Sequence, residues 1–151
     1  MASSRKSSAD NYILQYYQQI EDKSINVGRW IRLLYERIVE GLEQKSFFYD
    51  HKKASKAISF IERFCRHHEG ELGGQLIKLE LWQKAFISVL FGIVDKNGYR
   101  QFNEILLVMA RKQGKTLLAS AIATYEAYAD GEYGARVYMA APKLQQANIC
   151  Y

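Results

Sequence analysis

Ala110-Arg111-Lys112-Gln113-Gly114-Lys115-Thr116 is the stretch that decides how this chain is read. It ends in Gly-Lys-Thr, the phosphate-gripping end of a P-loop. The apolar run Ile105-Leu106-Leu107-Val108-Met109 precedes it and reads as a buried strand. A helix-patterned segment follows, with Leu117, Leu118, Ala121, Ile122, Tyr125 and Ala129 along one side. Strand, tight loop and helix are the context this motif needs. Backbone N–H groups curl round an anion at the helix N-terminus, where the dipole favours negative charge. The lysine adds a point charge, and the threonine hydroxyl can reach Mg²⁺. The general motif places glycine five residues before Gly114, where this chain has Met109. A turn entry without that glycine has fewer backbone conformations open to it.

The pattern extends outward on both sides. Gly131 and Gly134 frame the exit of the helix, and Arg136-Val137-Tyr138-Met139-Ala140 reads as a second strand. Strand, helix, strand predicts a right-handed parallel crossover. Upstream, Leu81, Ala85, Phe86, Val89, Leu90 and Ile93 mark one side of another helix. Asp95-Lys96-Asn97-Gly98 is a turn. It closes a hairpin between Phe91–Val94 and Tyr99–Phe102, or serves as a plain loop into the strand that follows.

From Asp10 to His68 the pattern is helical. Ile13, Tyr16, Tyr17 and Ile20 mark a short helix. Val27, Ile31, Leu34, Ile38 and Leu42, widened by Tyr35, mark a longer one, and Ala54, Ala57, Ile58, Ile61 and Phe64 a third. Such faces pack on one another as a small helical subdomain. Glu69-Gly70-Glu71-Leu72-Gly73-Gly74-Gln75 breaks the periodicity and reads as a linker. The expected organisation is a tail over 1–9, a helical subdomain over 10–74, and an α/β domain from 75 to 151.

With 151 residues, the chain has the length of about one domain. The net charge of +5 is compatible with a polyanionic partner and equally with a solvated surface. Cys65 and Cys150 form no disulfide framework and suit a reducing compartment. The N-terminus lacks the apolar core of a signal peptide, and no stretch is long enough to span a bilayer.

These segments resemble the N-terminal part of a phage terminase large subunit, the ATP-driven motor that packages double-stranded viral DNA into procapsids. The resemblance runs from about Tyr16 to Cys150. It is carried by Tyr16-Tyr17-Gln18-Gln19-Ile20, by Arg63-Phe64-Cys65-Arg66-His67-His68-Glu69-Gly70-Glu71-Leu72, and by Leu79-Glu80-Leu81-Trp82-Gln83-Lys84 with Phe91-Gly92. It continues through the Ala110–Thr116 loop and Ala140-Ala141-Pro142-Lys143-Leu144-Gln145-Gln146-Ala147. The family is similar in using an arginine-bearing, glycine-poor loop entry, so Met109 fits it. Its usual proline before Trp-Gln is Leu81 here.

The resemblance implies an incomplete P-loop NTPase-type parallel sheet preceded by a helical subdomain, with ATP and Mg²⁺ as cofactors. It implies Lys115 on the β- and γ-phosphates, Thr116 on Mg²⁺ and Gly114 allowing close approach, with Lys112 and Gln113 in the same loop. Arg111 would sense the terminal phosphate, and Gln83 would read adenine, its amide matching the N6 and N7 edge. Each residue also has an ordinary reading: a first-turn lysine, a cap hydroxyl, a turn glycine, an exposed arginine, a polar first-turn amide. Gln146 lies either in a segment coupling nucleotide to DNA movement or in a helix cap after Pro142. Implied partners are double-stranded DNA, the procapsid portal and the small terminase subunit, in a ring in the host cytoplasm, with no membrane.

Such proteins join the ATPase to a metal-dependent nuclease. This chain shows no Walker B aspartate, catalytic glutamate or nuclease carboxylates, so poor hydrolysis is expected of it. The alternative function is a non-catalytic nucleotide- or partner-binding remnant of a prophage gene. Cys65, His67 and His68 lack the matched ligands of a metal site and read as surface residues at a helix end. Trp82 reads as core, and the tyrosines as helix-face packing.

Overall fold

The computed structural model describes residues 11–68, 70–110, 113–131, 133–138 and 140. Five helices and a two-stranded antiparallel sheet make the described chain α/β. Helix α1, Tyr12–Glu21, starts where the Asn11 side-chain oxygen accepts the N–H groups of Ile13 and Leu14, at 3.1 and 3.3 Å. Helix α2 spans Arg29–Glu43 and buries Tyr35, Ile38 and Gly41. Ile31 and Leu34, read from the sequence as part of its inward face, stand exposed beside Trp30. The buried stripe is rotated toward Tyr35, whose ring meets Tyr16 edge-on at 4.9 Å.

The helical reading through His68 is corrected in two places. Lys45 adopts a left-handed φ of 56° after α2, and Phe48–Tyr49 forms strand β1. Asp50 then caps helix α3, His51–Phe64, accepting the N–H groups of Lys52 and Lys53 at 2.9 and 3.1 Å. Beyond Phe64 the backbone turns to a different partner. Cys65 C=O accepts from Ile77 N–H, His67 N–H donates to Gln75, and Gly74 N–H donates to His67 C=O. Residues 65–67 and 74–77 thus answer one another antiparallel, so His67 and His68 follow the helix rather than end it.

Helix α4, Leu81–Gly92, runs directly into strand β2, Ile93–Val94. Its Ala85, Ile87, Ser88, Val89 and Phe91 are all buried, so it is enclosed on more sides than one apolar stripe predicts. Strand β2 pairs with β1, Phe48 opposite Val94 and Tyr49 opposite Ile93. It also opens the hairpin read at Asn97-Gly98: Asp95 N–H donates to Tyr99 C=O at 2.8 Å, and Gln101 N–H to Ile93 C=O at 3.0 Å.

The chain forms two compact units, one drawn from residues up to 58 with 79–105, the other from 59–78 with 106 onward. The first has its core in Ile13, Ile20, Tyr35, Ile38, Ala85, Val89 and Ile93, flanked by Tyr16, Val27, Phe47 and Tyr49. The second holds helix α5, Lys115–Tyr128, which buries Leu118, Ala121 and Tyr125 as its periodicity predicts. Phe60 meets Tyr125 edge-on at 5.5 Å. The segments read as parallel strands are irregular where described, 104–110 before α5 and 135–138 after it. A strand exists only where a neighbouring backbone answers its N–H and C=O groups. No described segment does so for either.

Candidate functional site

The described part of the loop before α5 bends at Gln113 and Gly114. Gly114 is the N-cap, with φ 72° and ψ 13°, in the left-handed region that glycine enters without strain. Among the described residues, nothing lies within 4 Å of where a Cβ would stand. Its carbonyl accepts Leu118 N–H at 3.0 Å and closes the first turn of α5.

Among the described residues no side chain caps that helix start, and its first turn contains no acidic residue. The leading N–H groups of a helix have no partner inside it. Lys115 is the first helical residue and is exposed; Thr116 is half-buried; Leu118, two residues on, is buried and anchors the turn. A lysine in a helix's first turn opposes the dipole. An anion at this end would meet the open N–H groups and the ammonium together. The three residues Gly114, Lys115 and Thr116 are therefore consecutive on one helix start, and Gln113 is exposed beside them. Arg111, Lys112 and Gln146 lie outside the described residues.

Gln83 stands in the first turn of α4. It is the third residue of α4 and closes a capping box, its side-chain oxygen accepting Glu80 N–H at 2.8 Å. Because a backbone N–H must meet an oxygen, this bond fixes which end of the amide faces Glu80. The amide NH₂ points away from that bond, and the oxygen keeps a second lone pair. Gln83 belongs to the first compact unit and Gly114–Thr116 to the second. Trp82 beside it is half-buried.

No group of three or more His, Cys, Asp or Glu among the described residues could hold a metal ion. Burial pushes the Cys65 thiol up from its ordinary value, which makes it a poorer nucleophile and ligand. Burial, with the neighbouring Tyr16 second, raises the Tyr35 hydroxyl well above the ordinary range, as expected of a core tyrosine. Sequence reasoning missed the pairing of Tyr49 with the wholly buried Ser88, whose oxygens lie 3.5 Å apart. A serine inside an apolar helix is the signal that would have found it.

Compared with known proteins, residues 81–151 match the family model of the terminase large subunit, ATPase domain. The chain is 30% identical over 100 residues to the "Terminase, large subunit" of Enterobacteria phage HK97, covering 66% of this chain. It spans only 19% of that relative's length. No solved structure matches significantly. The two matches agree, and the resemblance to a terminase large subunit that the motifs carry is shown.

Proposed function

We propose that this chain binds ATP and Mg²⁺ at the N-terminus of α5, as the front part of the ATPase that drives DNA packaging. The observation that carries the reading is the start of α5: a left-handed Gly114, an uncapped helix end and Lys115 as its first residue. In this proposal Lys115 and the first-turn N–H groups hold the β- and γ-phosphates. Thr116 offers its hydroxyl to Mg²⁺, and Arg111 reaches the terminal phosphate. Gln83 reads adenine with its amide NH₂ and the oxygen's second lone pair, the capping bond to Glu80 holding it oriented. The family match beginning at residue 81 supports a functional division near 75, with 10–74 as an accessory helical part.

The proposal extends to the sheet. Residues 104–109 and 136–140 become parallel strands when further backbone flanks them, which accounts for the exposed Leu106 and Val108. Parallel strands are buried on both faces and carry runs of this kind. The partners that follow are double-stranded DNA, the portal, the small subunit and further copies in a ring. A purely nucleotide-binding role is the second reading. It differs from the first in lacking hydrolysis, which needs a group to orient the attacking water.

The test is titration of a fluorescent ATP analogue with Mg²⁺ into the wild type and Lys115→Ala. We expect at least a tenfold loss of affinity, about 1.4 kcal/mol; equal affinities remove the proposal. In the same assay, ATP should compete better than GTP, and Gln83→Ala should erase the difference. A preference that survives the substitution assigns base reading to another residue. Phosphate release by the wild type separates the two readings, since steady turnover abolished by Lys115→Ala would exclude the purely binding role.

A further inference from the structure

Helix α2 lies wholly in the first compact unit, and the charges at its ends run against its own dipole. Arg29 is its first residue and Glu43 its last; the first turn holds no acid and the last turn no base. A cation at the N-terminus and an anion at the C-terminus each destabilise a helix. Gly28, the N-cap, brings no side-chain hydrogen bond to offset this. Both end residues are exposed, and among the described residues neither forms an ion pair. Arg29 lies 5.8 Å from the centroid of the neighbouring Trp30 ring, which itself stands in solvent. Arg32 is the basic residue that α1 engages, through Glu21 at 3.8 Å.

The outward side of the same helix is apolar along one row. Trp30 is 74% exposed and Leu34, one turn on, 47%. Steps of three and four carry that row through Arg37 to Gly41, where the half-buried Phe47 ring lies against the helix. Arg29, Glu36 and Glu43 repeat every seven residues and are all exposed, so they share one flank of the row. Along that flank the charge runs from basic to acidic. A large exposed ring and leucine beside graded charges are the parts of a contact surface.

We propose that α2 pairs antiparallel with α2 of a second copy of this chain, across a two-fold axis beside Glu36. A two-fold that reverses a helix brings each flank against the same flank, reversed. Arg29 then meets Glu43 of the partner subunit, and Glu43 meets the partner's Arg29. Parallel pairing would set the flank on opposite sides of the seam and leave these charges apart. Glu36, seven residues from either end, falls at the axis, where Arg37 of each copy supplies the counter-charge. The two dipoles oppose one another, and Trp30 comes level with Gly41 and the Phe47 ring of the partner subunit. Charges unfavourable in one copy become favourable in two. The contact is isologous and closes at two copies, whereas a ring of more than two needs a head-to-tail contact elsewhere. The inference stands independently of the nucleotide reading, whose residues Gly114–Thr116 belong to the other compact unit.

The test is sedimentation equilibrium of the whole chain over a range of concentrations. We expect a monomer–dimer equilibrium with a dissociation constant on the order of tens of micromolar, since one helix face buries less than a standard interface. Arg29→Glu and Glu43→Arg should each weaken the dimer at least fivefold, because either one turns both ion pairs from attraction to repulsion. Mixed in equal amounts, the two variants should associate to within about twofold of the wild type, because opposite charges again face one another. That recovery separates a lost contact from a lost fold. Each substitution also places a favourable charge at its end of the helix, so neither variant should melt below the wild type. Trp30→Ala, at an exposed position, should weaken the dimer at least fivefold without lowering the melt. A wild type that stays monomeric well above the expected range overturns the proposal. So does association that the three variants leave unchanged, or a mixture that associates no better than its components.

Discussion

Phe86-Ile87-Ser88-Val89-Leu90-Phe91 and Ile105-Leu106-Leu107-Val108-Met109 are comparably apolar, and the second contains no polar residue at all. Yet Ile87 is 0% exposed and Val89 8%, while Leu106 is 88% exposed and Val108 82%. The difference lies in what each backbone needs. The first run is helical and satisfies its own N–H and C=O groups, so it needs only side-chain neighbours, which for Val89 the core around Ile13, Tyr35 and Tyr49 supplies. The second has strand chemistry, and a strand is incomplete until another backbone answers it. Apolarity sets which residues can be buried; the presence of partners sets which are.

The sharpest way to break this comparison is to truncate one residue in each run. We predict that Ile87→Ala costs about 2–5 kcal/mol, the lost burial plus the cavity it leaves. Leu106→Ala should change stability by less than about 0.5 kcal/mol, as for a surface site. Urea melts of both variants measure this. A loss at Leu106 comparable to that at Ile87 would mean that residues 104–109 are held by packing after all.

The same distinction explains what could be read without coordinates. Helices α1, α4 and α5 were legible because their signals are local: Ile13 and Ile20, Ala85 and Val89, and Leu118, Ala121 and Tyr125, all at helical steps. The start of α5 was legible for the same reason, since Gly114, Lys115 and Thr116 are neighbours in sequence. Strand β1 was not, because two residues carry no periodicity and their partner lies more than forty positions away at Ile93–Val94. The return of 74–77 onto 65–67 was hidden by the glycine-rich stretch between them, which reads as a linker, while its residues 70–75 close in short turns. The rotated face of α2 was missed because Ile31 and Leu34 are as apolar as Tyr35 and Ile38; only the neighbours distinguish them.

A second test probes the point where the buried run meets its partners. Gly92 ends α4, and a Cβ there would stand 2.7 Å from the Tyr49 ring and 2.9 Å from the Ala54 Cβ. The ring can swing aside; the alanine is fixed to the backbone of α3. We predict that Gly92→Ala costs about 1–3 kcal/mol through overpacking. The change should leave Lys115-dependent nucleotide binding intact if the two compact units fold separately, and a parallel loss of both would show them coupled. Thermal melts alongside the ATP-analogue titration give the answer.

The smallest expected effect lies at the turn that carries the chain out of the buried run. The Asp95 carboxylate accepts N–H groups of Tyr99 at 2.9 Å and Asn97 at 2.8 Å. The Tyr99 bond first, with those to Asn97 and Gly98 adding to it, holds its pKa below the ordinary carboxylate value, against a smaller opposing effect of burial. The sign follows from linkage. A carboxyl group whose pKa is lower folded than unfolded stabilises the fold fully above the unfolded value of about 3.9. That contribution is lost as pH falls through the folded value, because protonation then costs the native state its acceptor. Asp95→Asn keeps an oxygen for the same N–H groups and removes only the charge. We therefore predict that the variant is slightly less stable than wild type at pH 6 and that the gap closes as pH falls below the folded pKa. Urea midpoints at pH 6 and pH 3 would show it, together with an NMR titration of Asp95. A gap unchanged between the two pH values would mean that the turn's hydrogen bonds do not depend on the carboxylate's charge, and that Gly98 and the backbone bonds of the hairpin hold it.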